Sequence, residues 1–69
     1  MIPIKLSHIR MESDGEVYDY DNINIGVIEY DPSYNPKFTF IPYGNIPYYD
    51  QNAGDSPKQI MEEINRRVT

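Results

Sequence analysis

Strand-like runs separated by very short connections dominate the first 43 residues and leave few ways to fold. The runs are 2–10, 16–20, 23–30 and 37–43, and the connections between them hold two to six residues. A parallel crossover needs a dozen or more residues, so such runs can only pair as antiparallel hairpins. Period-2 alternation marks the first run, where Ile2, Ile4 and Leu6 alternate with Pro3, Lys5 and Ser7. Asp14-Gly15 suits a left-handed turn position, and Asp21-Asn22 reads as a two-residue hairpin turn. Pro32 and Pro36 bracket the longer turn 31–36. In the fourth run Phe38 and Phe40 share one face. Gly26, inside the third run, marks a bulge or a close approach by another backbone.

The C-terminal segment changes period. Ser56 is an N-cap, Pro57 fits the first helical position, and Gln59 stands where a capping box needs it. Ile60, Met61, Ile64 and Val68 then form one apolar stripe, which predicts a helix over 57–68. Glu62–Arg66 and Glu63–Arg67 are i,i+4 pairs in the favourable order. Residues 44–55 show no periodicity and read as a loop packed by Ile46, Tyr48 and Tyr49. The expected fold is α+β, one domain over 1–69: a three- to four-stranded antiparallel meander with one C-terminal helix on one face.

Composition agrees and narrows the function. Ten Ile and seven Tyr favour a pleated, half-buried surface. A chain of 69 residues without cysteine has no disulfide or thiolate chemistry to draw on, and its core is small. Its longest apolar runs fall far short of the roughly 20 residues of a membrane span. "MIPIKLSHIRM" is too interrupted for a signal h-region. The expectation is a soluble, cytoplasmic protein with no membrane partner.

Charge is placed unevenly. Between residues 12 and 31 stand Glu12, Asp14, Glu16, Asp19, Asp21, Glu29 and Asp31, with no Lys or Arg, in a chain of net charge -5. Direct nucleic-acid binding needs the opposite, a concentrated basic face. A calcium loop starting at Asp19 has Asp21 in register but Ile23 and Asn24 at its fifth and sixth positions, so it fails twice. The lone His8 lacks the companions of a transition-metal site or a catalytic base. No serine has a nucleophile-elbow context, and the four glycines are isolated. The reading is therefore not an enzyme, with no cofactor.

What remains is a protein-interaction module. Its candidate partner-binding residues are Asp14, Glu16, Asp19, Asp21, Glu29 and Asp31, with Tyr48 and Tyr49 because tyrosine is enriched at binding hot spots. A basic surface on a partner protein is the expected target. One concrete form is a phage or mobile-element inhibitor that sits on a nucleic-acid-processing host protein, carboxylates lying where phosphates would. The alternative is a structural homo-oligomer that covers a strand edge and an apolar face. A weak divalent-metal-binding or hydrolytic protein is the lesser alternative.

Overall fold

A computed structural model describes residues 1–44 and 49–68. It shows six antiparallel strands and one helix: β1 (Ile4–Lys5), β2 (Ile9–Met11), β3 (Glu16–Asp19), β4 (Asn24–Tyr30), β5 (Phe38–Pro42), β6 (Asn52–Gly54) and α1 (Pro57–Val68). The strands form a single sheet in chain order, an uninterrupted meander. The α+β class and the antiparallel connections match the sequence reading. The strand count of three to four does not, for two local reasons.

The first run, 2–10, is two strands. Ile4 pairs with Met11 and Lys5 with Arg10, and the Leu6 amide donates to the Ile9 carbonyl at 2.9 Å across the Ser7-His8 turn. Apolar residues fall at even positions up to Leu6 and at odd positions from Ile9. That change of phase is the turn. Ile9 and Met11 are buried, whereas Ile2 is 84% exposed.

The second correction is β6, which lies inside the run read as loop 44–55. Asn52–Gly54 pairs with Phe38–Phe40. Asn, Ala and Gly have little intrinsic strand preference. The edge of β5 and the helix recruit them instead. A Cβ on Gly54 would stand 3.0 Å from Ile60 Cγ1 and 3.0 Å from Gln59 Oε1, so the strand passes tight beneath the first turn of α1. Tyr49 packs against the core, as the loop reading expected of it, while Ile46 and Tyr48 lie outside the described residues.

The β3–β4 turn is also longer than two residues. Asp19 Oδ1 accepts the amides of Asp21 at 2.9 Å and Ile23 at 3.0 Å, and Asn22 takes the left-handed conformation at φ 64°. Asparagine tolerates that region because its short polar side chain bonds locally. The Asp14-Gly15 turn forms as expected, with Gly15 at φ 89° and Asp14 Oδ1 accepting the Glu16 amide at 3.0 Å.

The core is Ile9, Met11, Val17, Ile25, Ile28, Phe40, Ile60, Met61 and Ile64. The register explains its shape. Ile28 faces Phe40, Gly26 faces Pro42, and a register shift at Val17/Tyr18 places Ile25 as an extra residue in β4. Both readings of Gly26 therefore apply: a bulge beside it and a close approach over it. A Cβ there would lie 2.5 Å from the Ile41 carbonyl oxygen and 2.6 Å from Phe40 Cε1. The helix adds Ile60, Met61 and Ile64 from the expected stripe. Ser56 Oγ caps the Gln59 amide at 3.2 Å, and Gln59 reaches back to the Asp55 amide at 2.8 Å, one residue earlier than a standard capping box. Glu63 is the acid that both C-terminal arginines reach, Arg66 at 2.6 Å and Arg67 at 3.1 Å.

Two substitutions test this packing. Gly26→Ala is expected to lower the unfolding free energy by about 2 kcal/mol, because ring and backbone must both shift. Ser56→Ala is expected to lower it by about 1 kcal/mol through the lost cap. Urea denaturation followed by circular dichroism measures both. Full retention of stability in Gly26→Ala would contradict the close approach of Phe40.

Candidate functional site

The acids that are contiguous in sequence are separated in space. β3 runs one way and β4 returns, so Asp14, Glu16 and Glu29 share one end of the sheet while Asp19 and Asp21 share the other. Alternation places Glu16, opposite Val27, and Glu29, opposite Thr39, on the outer side of the sheet, away from α1. Asp31 extends the same side, because its amide continues the ladder to the Lys37 carbonyl at 2.8 Å. Asp19 pairs with the buried Ile9 and so belongs to the helix side.

Tyr43 organises the first group. Its hydroxyl donates to Glu16, 2.9 Å from Oε1 and 3.0 Å from Oε2. That hydrogen bond, then desolvation, then the charges of Glu16, Glu29 and Asp14 hold its pKa above the usual tyrosine value. Asn24 Nδ2 donates to Glu16 Oε1 at 2.8 Å from the neighbouring strand. The carboxylate thus draws the donor end of the amide toward itself and leaves Asn24 Oδ1 buried without a partner among the described residues. Such an orphan acceptor costs about 1–3 kcal/mol.

Tyr49 marks the second group. Burial raises its pKa first, and the charges of Asp19 and Asp21 add to it. Tyr48 lies outside the described residues. Several of these acids also hold the backbone. Asp14 and Asp19 close their own turns. Asp31 Oδ1 accepts the Ser33 hydroxyl at 2.6 Å and the Ser33 amide at 2.9 Å, and these bonds, the hydroxyl first, lower its pKa.

The arginines are engaged elsewhere. Arg10 pairs with Glu12 at 2.9 Å, donates to Asn22 at 2.6 Å and stacks 4.6 Å from the centroid of Tyr18. Arg66 and Arg67 share Glu63, whose pKa is lowered first by the hydrogen bond from Arg66. None of Asp14, Glu16, Asp19, Asp21, Glu29 and Asp31 is in an ion pair among the described residues. No group of three or more His, Asp or Glu among the described residues is placed to hold a metal ion. No helix of the described residues is long and apolar enough to cross a membrane.

Two elements of this arrangement escaped the sequence reading. Tyr43 was reachable in part: alternation along 37–43 puts it on the face of Thr39 and Ile41, but its meeting with Glu16 depends on the pairing of three strands. Asn65 carried no signal. It projects from α1 to the β1–β2 turn, accepting the His8 amide at 2.9 Å and donating to Ser7 Oγ at 3.2 Å, while Ser7 Oγ and His8 Nδ1 share a 2.8 Å hydrogen bond.

The Tyr43–Glu16 bond has a pH signature. The folded protein holds the Tyr43 proton more tightly than the unfolded chain does. The bond therefore adds stability that is fully present below pH 10.0, the ordinary value, and is lost as pH rises through the higher folded value. Titration of carbon-13-labelled tyrosine by NMR should show the Tyr43 ring raised above the ordinary tyrosine value, as Tyr49 also is, with only Tyr43 moving down in Glu16→Gln. A Tyr43 that titrates with the exposed tyrosines in both proteins would refute the assignment. No protein-family model, no curated protein and no solved structure matches this chain.

Proposed function

We propose that this protein is a non-enzymatic interaction module that presents carboxylates to a basic surface of a partner protein. The partner class is a nucleic-acid-processing host protein, and the action is that of a phage or mobile-element inhibitor. One observation carries the reading. The chain's arginines are taken up by Glu12 and Glu63, while Asp14, Glu16 and Glu29 keep their charge unpaired around Tyr43. Negative charge held on a sheet face gains Coulomb energy and association rate when it meets a positive face. Tyr43, 39% exposed and hydrogen-bonded in place, adds a rigid aromatic contact at low entropic cost. Asp31 stands at the rim of this surface, across the ladder from Lys37. Asp19 and Asp21 belong to a separate end and are secondary in this reading.

A structural homo-oligomer is the second reading, supported by the open edges of β1 and β6 and by exposed Ile2, Ile23 and Tyr34. The edge strands hold two and three residues, which gives strand pairing few backbone groups to use.

Amide substitutions separate charge from folding, because Asn and Gln keep a carbonyl acceptor for the Glu16 amide, Asn24 and Tyr43. The wild-type protein is expected to capture a nucleic-acid-processing protein that excess DNA displaces. The triple variant Asp14→Asn, Glu16→Gln, Glu29→Gln should bind that protein at least about tenfold more weakly. Equal affinity of the two proteins, or capture that DNA leaves untouched, would refute the proposal. Sedimentation at high micromolar concentration decides the second reading, which a monomer removes.

A further inference from the structure

A concavity lies away from the acidic surface around Tyr43. It is a groove of about 370 Å³ at the other end of the sheet, between the β1–β2 and β3–β4 turns. Lys5, Ser7, His8, Arg10, Tyr20 and Asn22 line it. Its volume is within the range of small-molecule sites, roughly 300–1,000 Å³. In a chain of net charge -5, two of the six Lys and Arg residues and the single histidine border this one depression.

The register gives the groove its chemistry. Lys5 and Arg10 are direct partners across the β1–β2 ladder, two cations facing each other. Like charges directly opposite are destabilising, and an anion between them reverses the sign. Lys5 is exposed and has no ion pair among the described residues. Arg10 is held in place by Glu12 through Nε, by Asn22 through Nη1 and by the Tyr18 ring, which leaves Nη2 without a hydrogen-bond partner among the described residues. A guanidinium fixed on three sides, with both N–H groups of Nη2 unsatisfied among the described residues, is preorganised for an oxyanion. Ser7 also borders the groove, its hydroxyl already engaged with His8 Nδ1 and Asn65, so the charged contacts are Lys5 and Arg10. Asp19 also borders the groove and keeps its negative charge; its Oδ1 accepts the amides of its own turn and its charge also reaches Tyr49, so an anion is drawn by Lys5 and Arg10 against this one carboxylate. Tyr20, 81% exposed, stands at the rim as a free aromatic face.

We propose that this groove is a phosphate-binding site, with Lys5 and Arg10 as the charged contacts and Tyr20 positioned to stack on a planar ring carried by the phosphate. The chemical class is a phosphomonoester such as a mononucleotide, and free phosphate shares the same contacts. The site is independent of the acidic surface around Tyr43, so either can fail without the other.

Titration of nitrogen-15-labelled protein by NMR tests it, with inorganic phosphate, adenosine monophosphate and adenosine as probes against sodium chloride of equal ionic strength. Phosphate and the monophosphate should give saturable shifts at residues 5–10 and 20–22, the monophosphate binding more tightly, and adenosine none. Lys5→Gln, on an exposed edge position, should weaken the phosphate response about tenfold while its spectrum stays folded. Tyr20→Ala should remove the advantage of the monophosphate over phosphate. Shifts no larger than those from sodium chloride, shifts spread over the whole protein, or an unchanged response in Lys5→Gln would overturn the proposal. So would a response to adenosine equal to that of the monophosphate.

Discussion

The ring of Phe40 occupies the space where a side chain at position 26 would stand, and much of the molecule follows from that contact. Phe40 can lie flat on β4 only because residue 26 is glycine. With the ring there, Ile28 meets it across the ladder, and the neighbouring bulge admits Ile25 to the core beside Val17. The helix then closes over Phe40 and the β2 residues Ile9 and Met11 with Ile60, Met61 and Ile64. A chain of 69 residues without disulfides has little stability to lose, so a single well-packed ring carries a large share of it.

The same strand reversals that build the core distribute the charge. A run of acids that looks like one face in the sequence becomes two groups at opposite ends of a sheet, because β3 and β4 are antiparallel. Turn chemistry and surface charge use the same side chains. Asp14, Asp19 and Asp31 each accept backbone amides and still carry their negative charge outward. This economy explains why acids accumulate at hairpin turns without any partner being required. The unpaired charge around Tyr43 is a different matter, since Glu16 and Glu29 lie on strands and close no turn.

The two ends of the outer side therefore carry different side chains. Carboxylates gather about Tyr43, and Lys5 faces Arg10 near the hairpin turns at the other end. Each end presents an aromatic ring beside its charges, Tyr43 at one and Tyr20 at the other. Among the described residues, the one helix packs on the other side of the sheet.

Local signals in the sequence determined the helix 57–68 and its cap, the Asp14-Gly15 turn, the antiparallel connections and the special status of Gly26. Each depends on residues close together in the chain: a capping serine, a left-handed glycine, a short linker, a glycine inside an apolar run. The phase change between Leu6 and Ile9 also announced a turn, although the alternation before it suggested one long strand. Only the tertiary structure decided that Asn52–Gly54 is a strand, because its pairing energy comes from the edge of β5 and from the helix above it. Likewise only the fold could bring Tyr43 to Glu16, Asn65 to the Ser7-His8 turn, and Lys5 opposite Arg10. Those contacts join residues 5 to 58 positions apart, and their register is set by how the core packs around Phe40.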